Sequence, residues 1–147
     1  MLGLYLHIPF CDGKCPYCDF YSLTGNEEVK EAYTRVLENQ LAQWAETLQK
    51  QGLSPEADTL YFGGGTPNLL GGSRIARLIA AAKRYFSLEK GEITVEVNPS
   101  SELSGFFREI AAAGANRISI GLQSADDGEL KALGRRHTVK QAAETVE

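Results

Sequence analysis

Cys11, Cys15 and Cys18 are the only thiols in a chain of 147 residues, and they fall within eight positions of one another. They sit in the stretch HIPFCDGKCPYCDFYS, residues 7–22, with the spacing Cys11-x3-Cys15-x2-Cys18. Thiols crowded in this way bind metal or exchange electrons more often than they pack a core. A structural zinc site asks for four protein ligands. Only His7 stands close enough in sequence to be the fourth, since the other histidine, His137, is remote. A redox pair of Cys15 and Cys18 has the x2 spacing that lowers a thiol pKa, but it leaves Cys11 idle. A disulfide would also leave one thiol over. An iron–sulfur cube has four irons, so three thiolates leave one iron open to an outside molecule. An odd number of cysteines suits that arrangement, and Gly13 gives the loop freedom to wrap such a group.

A loop that gathers three sulfurs must be held by regular elements. Residues 4–8, 59–62, 93–97 and 117–122 read as strands, because apolar side chains alternate there with polar or small ones. Leu4, Leu6 and Ile8 alternate with Tyr5 and His7, and Leu60 and Phe62 with Thr59, Tyr61 and Gly63. Ile93, Val95 and Val97 alternate with Thr94, Glu96 and Asn98, and Ile118, Ile120 and Leu122 with Ser119, Gly121 and Gln123. Helical patterns lie between them. Residues 27–51 put Val29, Tyr33, Val36, Leu37, Leu41, Trp44 and Leu48 on one predicted stripe, with Asn26 as N-cap and Gly52 as the stop. Residues 74–86 repeat the pattern with Ile75, Leu78, Ile79, Ala82 and Phe86. Stretches 104–113 and 127–133 end at Gly114 and Gly134, and Thr138 with Gln141 makes a capping box for a last helix.

The order β-α-β-α-β-α-β-α-α predicts an α/β fold built on a parallel sheet. Parallel strands are usually apolar on both faces. Four strands that each keep one polar face therefore predict a curved sheet whose concave side lines a wet, ligand-holding cavity. The unusual residues collect after the strands: the cysteine loop after the first, GGGTP (63–67) after the second, NP (98–99) after the third, Gln123 and Ser124 after the fourth. Barrel-like α/β folds keep their sites at that edge.

Composition narrows the function classes. With 43% hydrophobic and 23% charged residues the chain reads as a folded globular domain. Its formal charge of −4 argues against a nucleic-acid binder. The tightest basic group, Arg135, Arg136 and His137, reads by itself as a solvated helix end. No apolar run is long enough to predict a transmembrane helix. The first residues, MLGLYLHIPF, lack the basic segment and small-residue cleavage site of a secretory signal. With an odd cysteine count, this predicts a cytoplasmic, reducing location.

The Cys-x3-Cys-x2-Cys loop after a first strand resembles that of the radical S-adenosylmethionine (SAM) enzymes. The strings LYLHIPFCDGKCPYCDF, YFGGGTP, EVNP and NRISIGLQS resemble the oxygen-independent coproporphyrinogen III oxidase group, in that group's order and across nearly the whole chain. The resemblance implies a partial (β/α)6 barrel. It implies that Cys11, Cys15 and Cys18 hold a [4Fe–4S] cluster whose open iron chelates the methionine part of SAM. One electron passed to the sulfonium would split a carbon–sulfur bond and give a 5′-deoxyadenosyl radical, with the protein aiming and shielding the cofactors. By the same resemblance Tyr5 touches SAM. Gly64, Gly65 and Thr66 let backbone groups approach its ammonium, and Glu96 contacts it. Gln123 and Arg135 belong to the wider binding surface, and Tyr17 covers the cluster. By strand alternation His7 shares a face with Tyr5, which predicts either a side chain pointing toward the site or a structural histidine.

Two departures refine the expectation. Oxidases of this group carry a further cysteine two residues after the third ligand, where this chain has Phe20. The run CPYCDFYS is more similar to the branch regarded as heme chaperones, which bind heme and pass it to a heme-accepting protein. No counterpart of that branch's later heme-associated motif occurs in these residues. Oxygen-independent coproporphyrinogen oxidation is the alternative, with a porphyrinogen as substrate, and either activity needs an electron donor. Four strands are two-thirds of a six-stranded barrel, and the last helix, with Val139, Ala142, Ala143 and Val146 on one stripe, leaves the edge of the fourth strand uncovered. About four βα units of a truncated barrel are expected, with residues 1–147 as the N-terminal portion of a radical SAM core domain.

Overall fold

The periodicities resolve into four β-strands, β1 (Gly3–Ile8), β2 (Thr59–Gly64), β3 (Glu92–Val97) and β4 (Arg117–Ile120). The structure, a computed structural model, describes residues 2–88, 90–100 and 103–146. The strands pair in the order β1-β2-β3-β4, and every pair is parallel. Register is set by aligned apolar rows: Leu6 pairs with Phe62, Phe62 with Val95, and Val95 with Ile118. Helices α1 (Glu27–Lys50), α2 (Gly72–Phe86) and α3 (Ser104–Ala113) connect successive strands, a 3-10 turn (Pro67–Leu70) precedes α2, and α4 (Asp127–Ala132) and α5 (Val139–Val146) follow β4.

Caps fix the helix ends where the sequence puts them. The Asn26 side chain accepts from the Val29 amide at 2.9 Å, which satisfies one orphan donor of α1. Thr138 and Gln141 complete a reciprocal box: the Thr138 hydroxyl accepts from the Gln141 amide (3.2 Å), and Gln141 Oε1 accepts from the Thr138 amide (2.9 Å).

The core lies under one face of the sheet. Leu6, Ile8, Leu60, Phe62, Ile93, Val95 and Val97 are buried against Ile75, Leu78, Ile79, Ala82 and Phe86 of α2 and Leu37, Leu41 and Ala45 of α1. Each fully buried large side chain contributes roughly 1.5–3 kcal/mol, so this face carries most of the fold. The α1 stripe differs from the predicted one. Its buried line is Thr34, Leu37, Leu41 and Ala45, while Val29, Val36 and Trp44 face outward, Trp44 being 64% exposed. The observed line runs at steps of three and four residues. Val36 is one residue from Leu37 and so about 100° away around the helix. Tyr33 stays near the core because its hydroxyl donates to the His7 carbonyl at 2.6 Å.

The fourth strand also differs. It ends at Ile120 rather than 122, and Ile118 and Leu122 on its apolar side are exposed. Thr145 of α5 reaches the backbone of Ser100, beyond β3, so this helix packs at the end of the sheet instead of beneath β4. Among the described residues no helix is long and apolar enough to cross a membrane.

Charge ties α1 to α2. Arg77 pairs with Glu31 and Glu38 at 2.8 Å each, and Arg74 also reaches Glu31 at 3.2 Å. The Arg77 hydrogen bonds hold the Glu31 carboxyl down to about 2. A depressed carboxylate pKa stabilises the fold above the ordinary value of 4.5, and that stability is lost as pH falls toward 2. Glu31→Gln is therefore expected to flatten the fall of the thermal midpoint between pH 4.5 and 2. An acid-range slope equal to the parent's would show that the pair adds nothing.

Candidate functional site

The cysteine loop begins where β1 leaves the sheet. Its two arms are stapled: the Leu23 amide donates to the Pro9 carbonyl (2.8 Å), and the Cys11 amide donates to the Leu23 carbonyl (3.0 Å). Phe10, between these bonds, is buried and meets the Tyr33 ring edge-on at 5.5 Å. Core packing thus fixes the stem, and residues beyond it form an irregular lasso with one turn, Cys18 amide to Cys15 carbonyl at 3.0 Å. The thiols are free and half-buried, and all three line one cavity of about 650 Å³. Among the described residues no group of three or more His, Cys, Asp and Glu side chains is gathered tightly enough for one ion. Three thiols on one cavity match in number the thiolates that a multi-iron group takes, one to each of three irons. His7 is no ligand candidate in this geometry. Its Nε2 faces the Tyr21 carbonyl at 3.1 Å, and the residue lies outside the cavity lining.

The opposite wall continues from β2. The Gly65 amide donates to the Ile8 carbonyl and the Thr66 amide to the Phe10 carbonyl, each at 2.8 Å, so the β1–β2 ladder runs on into the loop stem. Side chains then form a belt around the cavity. Cys11 Sγ lies 3.4 Å from Thr66 Oγ1, which accepts from Asn98 Nδ2 at 2.9 Å. Asn98 Oδ1 accepts from Arg135 Nη2 at 2.7 Å, and the same nitrogen donates to the Gly121 carbonyl at 3.1 Å. Arg135 Nη1 closes the belt on the cysteine loop, 4.0 Å from Cys15 Sγ and 3.5 Å from the Tyr17 hydroxyl. Gly134, at φ 72°, turns the chain back after α4 and brings Arg135 inward. The group read from composition as a solvated helix end is corrected at Arg135 and His137, while Arg136 is exposed as expected. Arg135 is half-buried, and His137 is buried with Nε2 donating to the Leu122 carbonyl at 3.2 Å. Burial pushes the His137 pKa down.

One buried side-chain donor among the described residues lacks a partner, and it is Arg135 Nε. An unmet buried donor costs about 1–3 kcal/mol. Its place on the wall of a roomy polar cavity suits a ligand that brings an acceptor, such as the carboxylate of an amino acid. Glu96 is a second such group. It accepts from the Tyr61 hydroxyl at 2.6 Å and from the Gly64 amide at 3.3 Å, and it lines the cavity as well. The hydrogen bond to Glu96, then burial, raises the Tyr61 pKa, so the phenol stays a donor. Tyr5 stacks on Tyr61 with ring centroids 6.1 Å apart, and burial raises its pKa too.

Of the site residues expected from sequence, every one except Tyr5 and His7 lines this cavity. Tyr5 stacks on Tyr61 instead. Gln123 is there with a left-handed backbone, φ 62°, uncommon for a residue with a side chain. Tyr17 is exposed at the rim. Sequence reasoning named Tyr61 only as a strand residue and placed Asn98 at the site's edge without a role, yet Asn98 joins Thr66 to Arg135 and Tyr61 holds Glu96. The signal for Asn98 was its place before a proline at the carboxyl end of β3.

Comparison with known proteins places this geometry among relatives. Residues 5–147 match the radical SAM superfamily. The chain is 41% identical over 143 residues to the heme chaperone HemW of Escherichia coli (strain K12), covering 96% of this chain and 37% of that one. It is 34% identical over 147 residues to an oxygen-independent coproporphyrinogen III oxidase of Bradyrhizobium diazoefficiens, covering 99% and 32%. The solved structure of the radical SAM enzyme coproporphyrinogen III oxidase (HemN) from Escherichia coli superposes with a TM-score of 0.76 at 26% identity, over 98% of this chain and 34% of the other. The chain therefore spans about a third of the length of the relatives it matches.

Proposed function

The chain belongs to the radical SAM superfamily, and from that premise we propose that Cys11, Cys15 and Cys18 hold a [4Fe–4S] cluster beside bound SAM, in a protein that binds and delivers heme. When bound, the cluster supplies one electron to the SAM sulfonium. The chain's own residues do the rest. Thr66 steadies Cys11 while Asn98 holds Thr66 and Arg135 in one line. Arg135 offers its unmet Nε to a carboxylate, and Glu96, kept in place by Tyr61, offers an acceptor to an ammonium or hydroxyl. Gly64 and Gly65 keep that wall free of side chains, and Tyr17 and Gln123 border the opening. Residues 1–147 act as the N-terminal portion of the radical SAM core, in the cytoplasm, with an electron donor and a heme-accepting protein as partners.

The observation that carries the heme reading is Phe20. It lines the same cavity two residues after Cys18 and is 63% exposed. An aromatic face stands where the oxidases of the group have a thiol, and it suits contact with a flat macrocycle better than redox chemistry. Coproporphyrinogen oxidation is the second reading, favoured by the overlay on an enzyme of that activity. The two readings separate in one experiment. Anaerobically reconstituted protein is titrated with heme, then incubated with coproporphyrinogen III, SAM and a reductant. A saturable heme spectrum with no protoporphyrinogen is expected. Protoporphyrinogen formation would overturn the chaperone reading in favour of the oxidase.

A further inference from the structure

Arg135 is not the only residue that the turn after α4 returns to the cysteine loop. Arg136 Nη2 donates to the Asp12 carbonyl at 3.0 Å, across 124 residues of sequence. The same guanidinium lies against Gly13, where an added Cβ would stand 2.5 Å from Nη2. Among the described residues, the backbones of Asp12, Gly13 and Lys14 make no hydrogen bond to other backbone groups. The three positions between Cys11 and Cys15 are all exposed, and no ion pair engages Arg136 there. One side chain therefore ties down this stretch.

We propose that Arg136 is a positioning residue that latches Asp12 and Gly13, so that Cys11 and Cys15 on either side keep the separation at which both can bind one cluster. The proposal rests on the reading that these thiols hold a cluster. Cys11 already has the stapled stem and Thr66, whereas Cys15 has only the turn to Cys18 within the loop and the long contact to Arg135. Between them the backbone is free to swing unless Asp12 is held. Arginine suits the task because its planar fork donates to the carbonyl while its face covers the bare glycine. Any side chain at position 13 would push it away.

Two measurements test the latch. The first uses the chain without cluster. Lys14 is the only trypsin site between residues 9 and 26, and cleavage there reports how often the loop opens. Arg136→Gln is expected to speed cleavage after Lys14 about tenfold, with cutting after Lys50 and the thermal midpoint unchanged. The second follows cluster absorption while a chelator strips iron from reconstituted protein. Loss is expected to be about tenfold faster in Arg136→Gln, the scale typical of partners that orient metal ligands, and Arg136→Lys should recover most of it. Gly13→Ala should reproduce Arg136→Gln, and the double variant should be no worse than either single one. Parent-like cleavage at Lys14, or additive effects in the pair, would overturn the latch. A parent chain that takes up no iron and sulfide would overturn the cluster reading instead, and the trypsin comparison would still decide whether Arg136 holds the loop.

Discussion

Cys15→Ala is expected to abolish the brown iron–sulfur absorption of the anaerobically reconstituted protein while leaving its far-ultraviolet circular dichroism unchanged. The expectation follows from where Cys15 sits. Its neighbours in the lasso lie outside the sheet, and it is half-buried with no close backbone partner apart from the turn to Cys18. Removing its sulfur leaves the core of β1, β2 and β3 untouched, so the stability of the cluster-free protein should change by about 1 kcal/mol or less. The cluster has no such reserve. With three thiolates for four irons, loss of one leaves two, and the chain has no further thiol to take its place. Iron, labile sulfide and zinc analysis of the parent decide the premise. Stoichiometric zinc without sulfide would remove it, as would a spectrum showing the fourth iron capped by a side chain of this chain.

Gly65→Ala should have the next largest effect, on folding and site together. A Cβ there would lie 2.8 Å from the Phe10 carbonyl oxygen, 2.9 Å from that of Ile8 and 3.0 Å from the Pro9 carbonyl carbon. All three are backbone atoms of the loop stem, so no flexible side chain can yield. Overpacking of this kind typically costs about 1–3 kcal/mol. The shift would also strain the two bonds that extend the ladder, from Gly65 to Ile8 and from Thr66 to Phe10, worth about 1 kcal/mol each. A loss of about 3 kcal/mol in urea unfolding is expected, with poor cluster uptake even where the variant folds. A parent-like unfolding midpoint would mean that the stem moves freely, contrary to the stapled geometry.

Much of this was readable in the residues because local pattern and tertiary role coincide. In α2, Ile75, Leu78, Ile79, Ala82 and Phe86 repeat at helical spacing on a helix covered along its whole length, and all five are buried. In α1 the same reasoning misplaced Val36 and Trp44, because an apolar side chain on a long helix does not say which side its neighbours occupy. The alternation in β4 gave its faces correctly but not what covers them, and Ile118 and Leu122 are exposed. The cysteine loop and the glycine run were visible from residue type and spacing. The belt was not. Asn98 meets Thr66 and Arg135 over sequence separations of 32 and 37 residues, and such pairings leave no local periodicity. Arg135 and His137 misled for a related reason: charge alone predicts solvent, and the turn at Gly134 that redirects them inward is a backbone property.

The belt that runs from Cys11 through Thr66 and Asn98 to Arg135 also sets a timetable. Its members come from the first loop and from the chain after each later strand, with Arg135 made 120 residues after Cys15. At translation speeds of about 5–20 residues per second, the sulfurs leave the ribosome roughly 6–24 s before the arginine that completes their enclosure. During that interval the nascent chain carries unscreened thiols and no finished cradle, so on the cluster reading proposed above, loading would follow synthesis of this region rather than accompany it.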